Sequence, residues 1–507
     1  MTGTSLFAQI VHNLEKGELK KDFSFPVLVM DGEPVYAADG MLDAIYIMQP
    51  EPEGQVDAKG AKKIARALKS ASSGDMETAS ALFSELGSAY RAVTCAGEIQ
   101  ACIRRHGEMN APALFEAGIR LVTESEDREC VKFGLCILER FRITNQAIKS
   151  MVFTTGLSDE FTLFAGYAMS VWEDGSEYMF RLLKHVHGWG KIALAARVEA
   201  DTAAKRNWFL HHGMENTVNG NYLAATAFVK SGASARLKKP MKPEAFRAVT
   251  ELIDKMTDEE PAAGLSALAD PEAVLNDYLD RAGETDLDAG IYNLIARLSD
   301  WAAEYEYWDL YGRCFDGFLS TEDCRKKALY AARCGEACDL ACVLDIPFEE
   351  DLLRHMELDF DRFYDRCGYI LDTGENIERL LNLFRKRIDP DTFAGVPGET
   401  FRCEQTRDRE DILEFLLEEL SYLPLTGTDL VIAGLRAPGV WVRGRAIFTV
   451  SAWVAEQGVP LKDLSAELYT ELRGLSQKEP VDALKEAIWR LLSGDTAFEE
   501  GDLDEQR

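Results

Sequence analysis

His185, His187, His211 and His212 are four of the seven histidines in this 507-residue chain, and all fall between positions 185 and 212. Imidazole is a common zinc ligand, so their spacing has to be worked out in three dimensions. The stretches KIALAARVEA and AAKRNWFLHHG read as two helices joined by a turn near Asp201-Thr202. A helix over 191–200 runs ~15 Å away from the turn at 187–190, at ~1.5 Å per residue, and a helix over 203–212 returns by a similar length. That brings His211 and His212 back to the end where His187 sits. Zinc needs three or four such ligands within reach, supported by partners behind them. The same residues also suit helix ends, where histidine caps C-terminal carbonyls. No H-x₃₋₅-H paired with C-x₂-C accompanies them, so the helix-end reading is preferred and a metal site is the alternative.

Other constellations are weaker. Gly188–Ala193, GWGKIA, fits the loose dinucleotide pattern G-x-G-x-x-G/A, but YMFRLLKHVH before it reads as a helix where that chemistry needs a strand. A turn between antiparallel helices is the expectation. Cys334, Cys338 and Cys342 recur every four residues and are expected as one buried, inert stripe of a helix. Asp359, Asp361 and Asp365 occupy positions 1, 3 and 7 of a calcium loop, but Tyr364 and Ile370 replace its glycine and final glutamate. There is no H-E-x-x-H, no G-x-x-x-x-G-K-[ST], no complete G-x-S-x-G, and no His preceded by Glu at three residues. No cofactor is therefore expected.

The elements that carry these residues are helices. ALFEAGIRLVTESEDRECVKFGLCILERF (113–141) and DLVIAGLRAPGVWVRGRAIFTVSAW (429–453) read as the same helical hairpin, about 300 residues apart. In each, the second helix opens with Val-Lys or Val-Arg. Val442, Ala446, Val450 and Trp453 make one stripe of the second copy. A hairpin of this kind cannot bury its own stripe and must stack on neighbours. The expected fold is all-α: a HEAT-like α-solenoid of stacked antiparallel helical hairpins with a small irregular N-terminal cap. Helix content above ~55% is expected, against a base rate of ~30–35%.

Boundaries follow from composition. Residues 1–55 form the cap. They hold a short helix over 5–15, then a small hairpin in which Val27–Val29 and Val35-Tyr36 flank an Asp31-Gly32 turn. Residues 56–257 form a first helical array, and 258–270 a Pro- and Gly-rich linker. Residues 271–493 form a second array with a loop at 390–409, and 494–507 an acidic tail.

The chain holds 56 basic and 86 acidic side chains, a net charge of −30, which disfavours nucleic acid and anionic membranes. No run of 18 apolar residues occurs. Eleven scattered cysteines and a polar N-terminus point to reduced thiols and a cytoplasmic location. The expected partner is a protein, docking on a surface that includes Trp189, Trp208, Trp441 and Arg443. Core packing is the competing reading of the tryptophans, and stacking between repeats that of Arg443.

The stretches HGWGKIALAARVEADTAAKRNWFLHHGMEN (187–216), LPLTGTDLVIAGLRAPGVWVRGRAIFTVSAW (423–453) and KDFSFP…YAADGMLDAIY (21–46) resemble a bacterial family of about this length whose members are often labelled limonene hydroxylase. That resemblance implies a monooxygenase or another metal-dependent enzyme. Such chemistry needs haem, non-haem iron or flavin. The family's motifs are turn and packing motifs and bring no catalytic residues with them. The preferred function is a binding or regulatory scaffold, with the hydroxylase as the alternative.

Overall fold

The structure, a computed structural model, describes residues 4–20, 23–26, 28–30, 33–35, 37–48, 56–260, 262–393, 396–398 and 408–494. About 70% of the described residues are helical. Thirty α-helices and two two-stranded ladders account for the regular structure among the described residues. The fold is all-α. It divides into two compact units, Met1–Ala233 and Ser234–Arg507.

In the first unit the helix Arg128–Leu138 lies at the centre. It packs on Ala111–Glu124, Met76–Gly87, Ala92–Arg105 and Asp159–Ser170. Every residue from Glu129 to Leu138 is buried. A helix covered on all sides must bury its polar residues as well as its apolar ones. Asp127 starts it, accepting from the Glu129 and Cys130 N–H groups at 2.9 and 3.2 Å. Its hairpin partner crosses it at two glycines. A Cβ on Gly134 would stand 2.9 Å from the Gly118 carbonyl oxygen, so only glycine permits this approach.

The second hairpin forms in the same way in the second unit, from Thr428–Leu435 and Val440–Gln457. Gly434 faces Ala446 there, and a Cβ on that glycine would lie 2.9 Å from the alanine. Val442, Ala446, Val450 and Trp453 are all buried against Arg409–Leu420 and its neighbours. Trp453 Nε1 donates to the Leu420 carbonyl at 2.7 Å, and Thr449 Oγ1 to that of Leu417 at 2.8 Å.

Several expectations need correcting. The first helix runs Leu6–His12, not to Glu15. The chain then turns through Lys16 and Gly17, both at positive φ, into a ladder pairing Leu14 with Leu19. The second ladder pairs Leu28–Met30 with Glu33–Val35; its expected turn, Asp31-Gly32, lies outside the described residues. The stretch expected as a linker, 258–270, falls inside the second unit. Glu259 accepts from Trp301 Nε1 at 2.6 Å and from the Ser266 N–H and hydroxyl at 2.9 and 2.6 Å, while Leu265 is buried. The acidic tail beyond Gly494 lies outside the described residues.

The cysteine stripe breaks for a local reason. Gly335, at φ +68°, ends the helix Glu322–Arg333 with bonds back to Ala331 and Ala332. A new helix then starts at Cys338. Cys338 is buried, Cys334 half-buried and Cys342 exposed.

Candidate functional site

The densest group of ionisable side chains lies inside the first unit, at the start of the central helix. Lys132 Nζ reaches three carboxylates: Asp43 at 2.7 Å, Glu129 at 2.7 Å and Glu160 at 2.6 Å. All four side chains are 3–4% exposed. Arg128 stands beside them, 3.0 Å from Asp39 and 3.5 Å from Glu160. It also donates to the Pro26 carbonyl, and Arg91 donates to that of Leu42 at 2.7 Å. Three further oxygens go to backbone donors. Glu160 Oε2 accepts the Gly40 N–H at 2.9 Å, Glu129 Oε2 that of Ala92, and Asp39 Oδ2 that of Phe25 at 3.1 Å.

Three separate segments therefore meet on one ammonium group. Asp39 and Asp43 come from the N-terminal segment, Glu160 from the helix Asp159–Ser170, and Lys132 from the central helix. Burial holds Asp39 up at about 6, with Glu160 adding to the rise and Arg128 opposing it. Burial pushes Glu129 up to about 7 against the pull of Lys132. Asp43 is raised for the same reason. Burial also acts to raise Glu160, but Lys132 and Arg128 outweigh it and its carboxyl is lowered. Burial acts against the Lys132 ammonium, yet the three carboxylates hold it well above the ordinary lysine value.

The chemical consequence is a lock rather than a catalyst. A lysine held protonated is neither a nucleophile nor a base. Glu129 has the affinity of a neutral-pH acid–base group, but a substrate has no room to reach it. The adjoining cavity measures about 10 Å³, enough for about one water. Asp43 Oδ1 lines it without a protein hydrogen bond.

The raised carboxyls set a pH dependence. Asp39 and Glu129 titrate near 6 and 7 when folded, against ~3.9 and ~4.3 when unfolded, so the folded state holds more protons between ~4 and ~7. The stability they contribute is complete below the unfolded values and is lost as pH rises through the folded ones. Glu160, lowered, acts oppositely but only at acid pH. The melting temperature of the first unit is expected to fall between pH 5.5 and pH 8. A melting temperature that rises across that interval would contradict this arrangement.

The histidine segment returns as its spacing implies, but its side chains do not converge. Thr217 N–H bonds the His187 carbonyl at 2.7 Å, which brings the end of the helix Ala203–His212 back to the turn. His212 instead turns to Glu215 at 2.9 Å, and His185 lies 3.6 Å from Glu18 beside the Phe153 ring. His187 and His211 are exposed. Among the described residues no group of three or more His, Cys, Asp or Glu side chains is placed to hold a metal ion. The ligand set His185, His187, His211 and His212 is thus not assembled among the described residues: the His185 ring turns to Glu18 and Phe153, and the His212 ring to Glu215.

The expected turn lies just before GWGKIA: residues 184–188 link the helices Gly175–Leu183 and Trp189–Ala195, with Gly188 as the cap of the second and residues 189–193 inside it. The glycines of GWGKIA admit the Asp159 carboxylate, which a Cβ on Gly188 or Gly190 would strike. That carboxylate accepts the Gly190 N–H at 2.9 Å and so caps the second helix from outside. Lys191 follows, buried under the Trp208 ring and donating to the Glu215 carbonyl. Burial lowers its affinity for a proton.

The expected docking residues divide. Trp189 is buried against Tyr222, and Arg443 is 0% exposed, so neither lies on a surface. Trp208 and Trp441 are half-buried. Arg443 makes the second enclosed ionic group. Its Nε and Nη2 pair with both Glu479 oxygens at 2.8 Å. Nη1 donates to the carbonyls of Ala437 (3.1 Å) and Pro438 (2.7 Å), and Nη2 to that of Gly398 (2.7 Å). Each guanidinium nitrogen is used, which is the condition for burying such a charge.

Sequence reasoning noticed the Val-Lys and Val-Arg pairs and offered Arg443 as a residue that satisfies acidic or carbonyl groups between hairpins, but missed that Lys132 is buried. A basic residue in the first turns of a helix, where the macrodipole disfavours it, was the available signal. No helix among the described residues is long and apolar enough to cross a membrane. No protein family, curated protein or solved structure matches this chain.

Proposed function

We propose that the chain is a helical-repeat binding scaffold, a HEAT-like α-solenoid that docks a protein partner on its exposed helical faces. One observation carries the reading. At the same place in the two related hairpins, Lys132 and Arg443 are enclosed and tie their hairpin to a later segment, through Glu160 and Glu479. The same solution to the same packing problem, twice in one chain, is what stacked repeats require. The groups with the strongest chemistry are consumed in packing, and the exposed helix faces remain for recognition.

Cross-linking of the full chain in native lysate, read by mass spectrometry, tests this. The expected result is one protein recovered in stoichiometric amount, cross-linked to exposed helix residues. Hydroxylation of a monoterpene with oxygen and an electron donor, abolished by His187→Ala and His211→Ala, would overturn it in favour of the activity that the family resemblance implies.

A further inference from the structure

A net charge of −30 conceals one place where the surface is strongly basic. The helix Ala58–Ser72, AKGAKKIARALKSAS, contains five basic residues and no acidic one. Its buried face is Gly60, Ile64, Ala67, Leu68 and Ala71. Lys59, Lys62, Arg66 and Lys69 follow one another at +3, +4 and +3 on the opposite face, and all four are exposed. They form a ridge ~15 Å long at ~1.5 Å per residue.

Among the described residues, nearby acids form no ion pair with the ridge, although Lys59, Arg66 and Lys69 act through space on Asp57, Glu85 and Glu108. Glu85 pairs with Lys63 at 2.6 Å, off the ridge. Asp57 accepts from the Gly60 N–H at 2.7 Å and the Tyr90 hydroxyl at 2.8 Å. Glu108 faces His106 at 3.2 Å. Lys59, Lys62, Arg66 and Lys69 make no ion pair among the described residues. Three of them, with Lys63, Asp57 and Glu85, also line an open groove of about 820 Å³.

We propose that this ridge docks a short acidic segment of a protein partner. The proposal rests on the scaffold reading above and names the chemistry of the partner. Charge complementarity selects an anion, and geometry selects its size. Fields of exposed charges decay over ~8 Å at physiological salt, so a ligand confined to the ridge does not feel the distant acidic surface. A long nucleic acid or a flat anionic membrane extends past the ridge and meets that surface. The ridge also carries no aromatic side chain on which a base could stack.

The test uses fluorescence anisotropy with the full-length chain and a labelled glutamate-rich peptide of about 12 residues, about 18 Å if helical. Binding is expected at low salt, and about tenfold weakening is expected once the salt is high enough to shrink the Debye length to ~5 Å. The exchange K59E/K62E/R66E/K69E should abolish binding while helix content and melting temperature are retained. The milder pair K62Q/R66Q should weaken it several-fold, and the control pair K239E/K242E should leave it unchanged. Absence of peptide binding, or equal affinity of the wild type and the fourfold variant, would overturn the proposal. So would tighter binding of a single-stranded oligonucleotide of equal charge, or of phosphatidylserine vesicles, through the same residues. A cross-linked partner retained by the fourfold variant would remove the ridge and leave the scaffold reading intact. Peptide binding through the ridge by a chain that captures no protein in lysate would remove the scaffold reading instead.

Discussion

Lys132→Met is expected to destabilise the first unit on the order of 3–5 kcal/mol at pH 8, because it leaves buried charge without its partner. The methionine fills much of the same volume, so the loss is electrostatic rather than a cavity. Asp43, Glu129 and Glu160 would then face one another in an enclosed space with only Arg128 and Arg91 near them. The carboxyls would respond by binding protons, so the defect should shrink on acidification. Thermal melts of wild type and variant at pH 5 and pH 8 check both parts. Hydrogen exchange should place the loosening in the helices Arg128–Leu138 and Asp159–Ser170 and in residues 37–48, with protection in the second unit preserved. Equal melting temperatures at pH 8 would mean that water reaches this cluster and that it is not a lock.

Arg443→Ala should have an effect of similar size in the second unit. It strips both guanidinium donors from the Glu479 carboxylate, which among the described residues keeps only the Val481 N–H, and leaves the Ala437, Pro438 and Gly398 carbonyls without this donor. Removing one member of a buried pair costs on the order of 3–5 kcal/mol. Lysine is not an adequate substitute, since three donors on one nitrogen cannot reproduce the planar fork. Arg443→Lys should therefore remain clearly destabilised. The informative variant is the double exchange Arg443→Met with Glu479→Leu. With both charges gone, stability should recover to within about 1–2 kcal/mol of wild type, less the unmet carbonyl bonds. Denaturant melts of the two single variants and the double variant form the cycle. A double variant as unstable as the sum of the singles would mean that the residues act independently and that the pair is not the unit of stabilisation.

What the sequence by itself determined was local. The all-α class, the two related hairpins, a turn close to Gly188 and the buried stripe Val442, Ala446, Val450 and Trp453 follow from helical periodicity and from glycine placement. Both act over a few residues. Local chemistry also ends the helix at Gly335 and turns the chain at Lys16-Gly17, although periodicity alone carried each helix too far. Partnership across the chain lay beyond this reach. The backbone return of His211 and His212 toward His187 could be worked out from helix length. The direction of the His185 ring could not, because it is set by Glu18 and Phe153, which lie far away in sequence. Lys132 looks like an ordinary surface cation in sequence, and Arg443 like a stacking residue whose partners cannot be named. Burial on every side of Arg128–Leu138 turned the first into the centre of a carboxylate cluster. Glu479, 36 residues downstream, and the carbonyl of Gly398 turned the second into a buried clamp. A buried charge is tolerated only where several distant groups arrive together, and that convergence belongs to the tertiary structure.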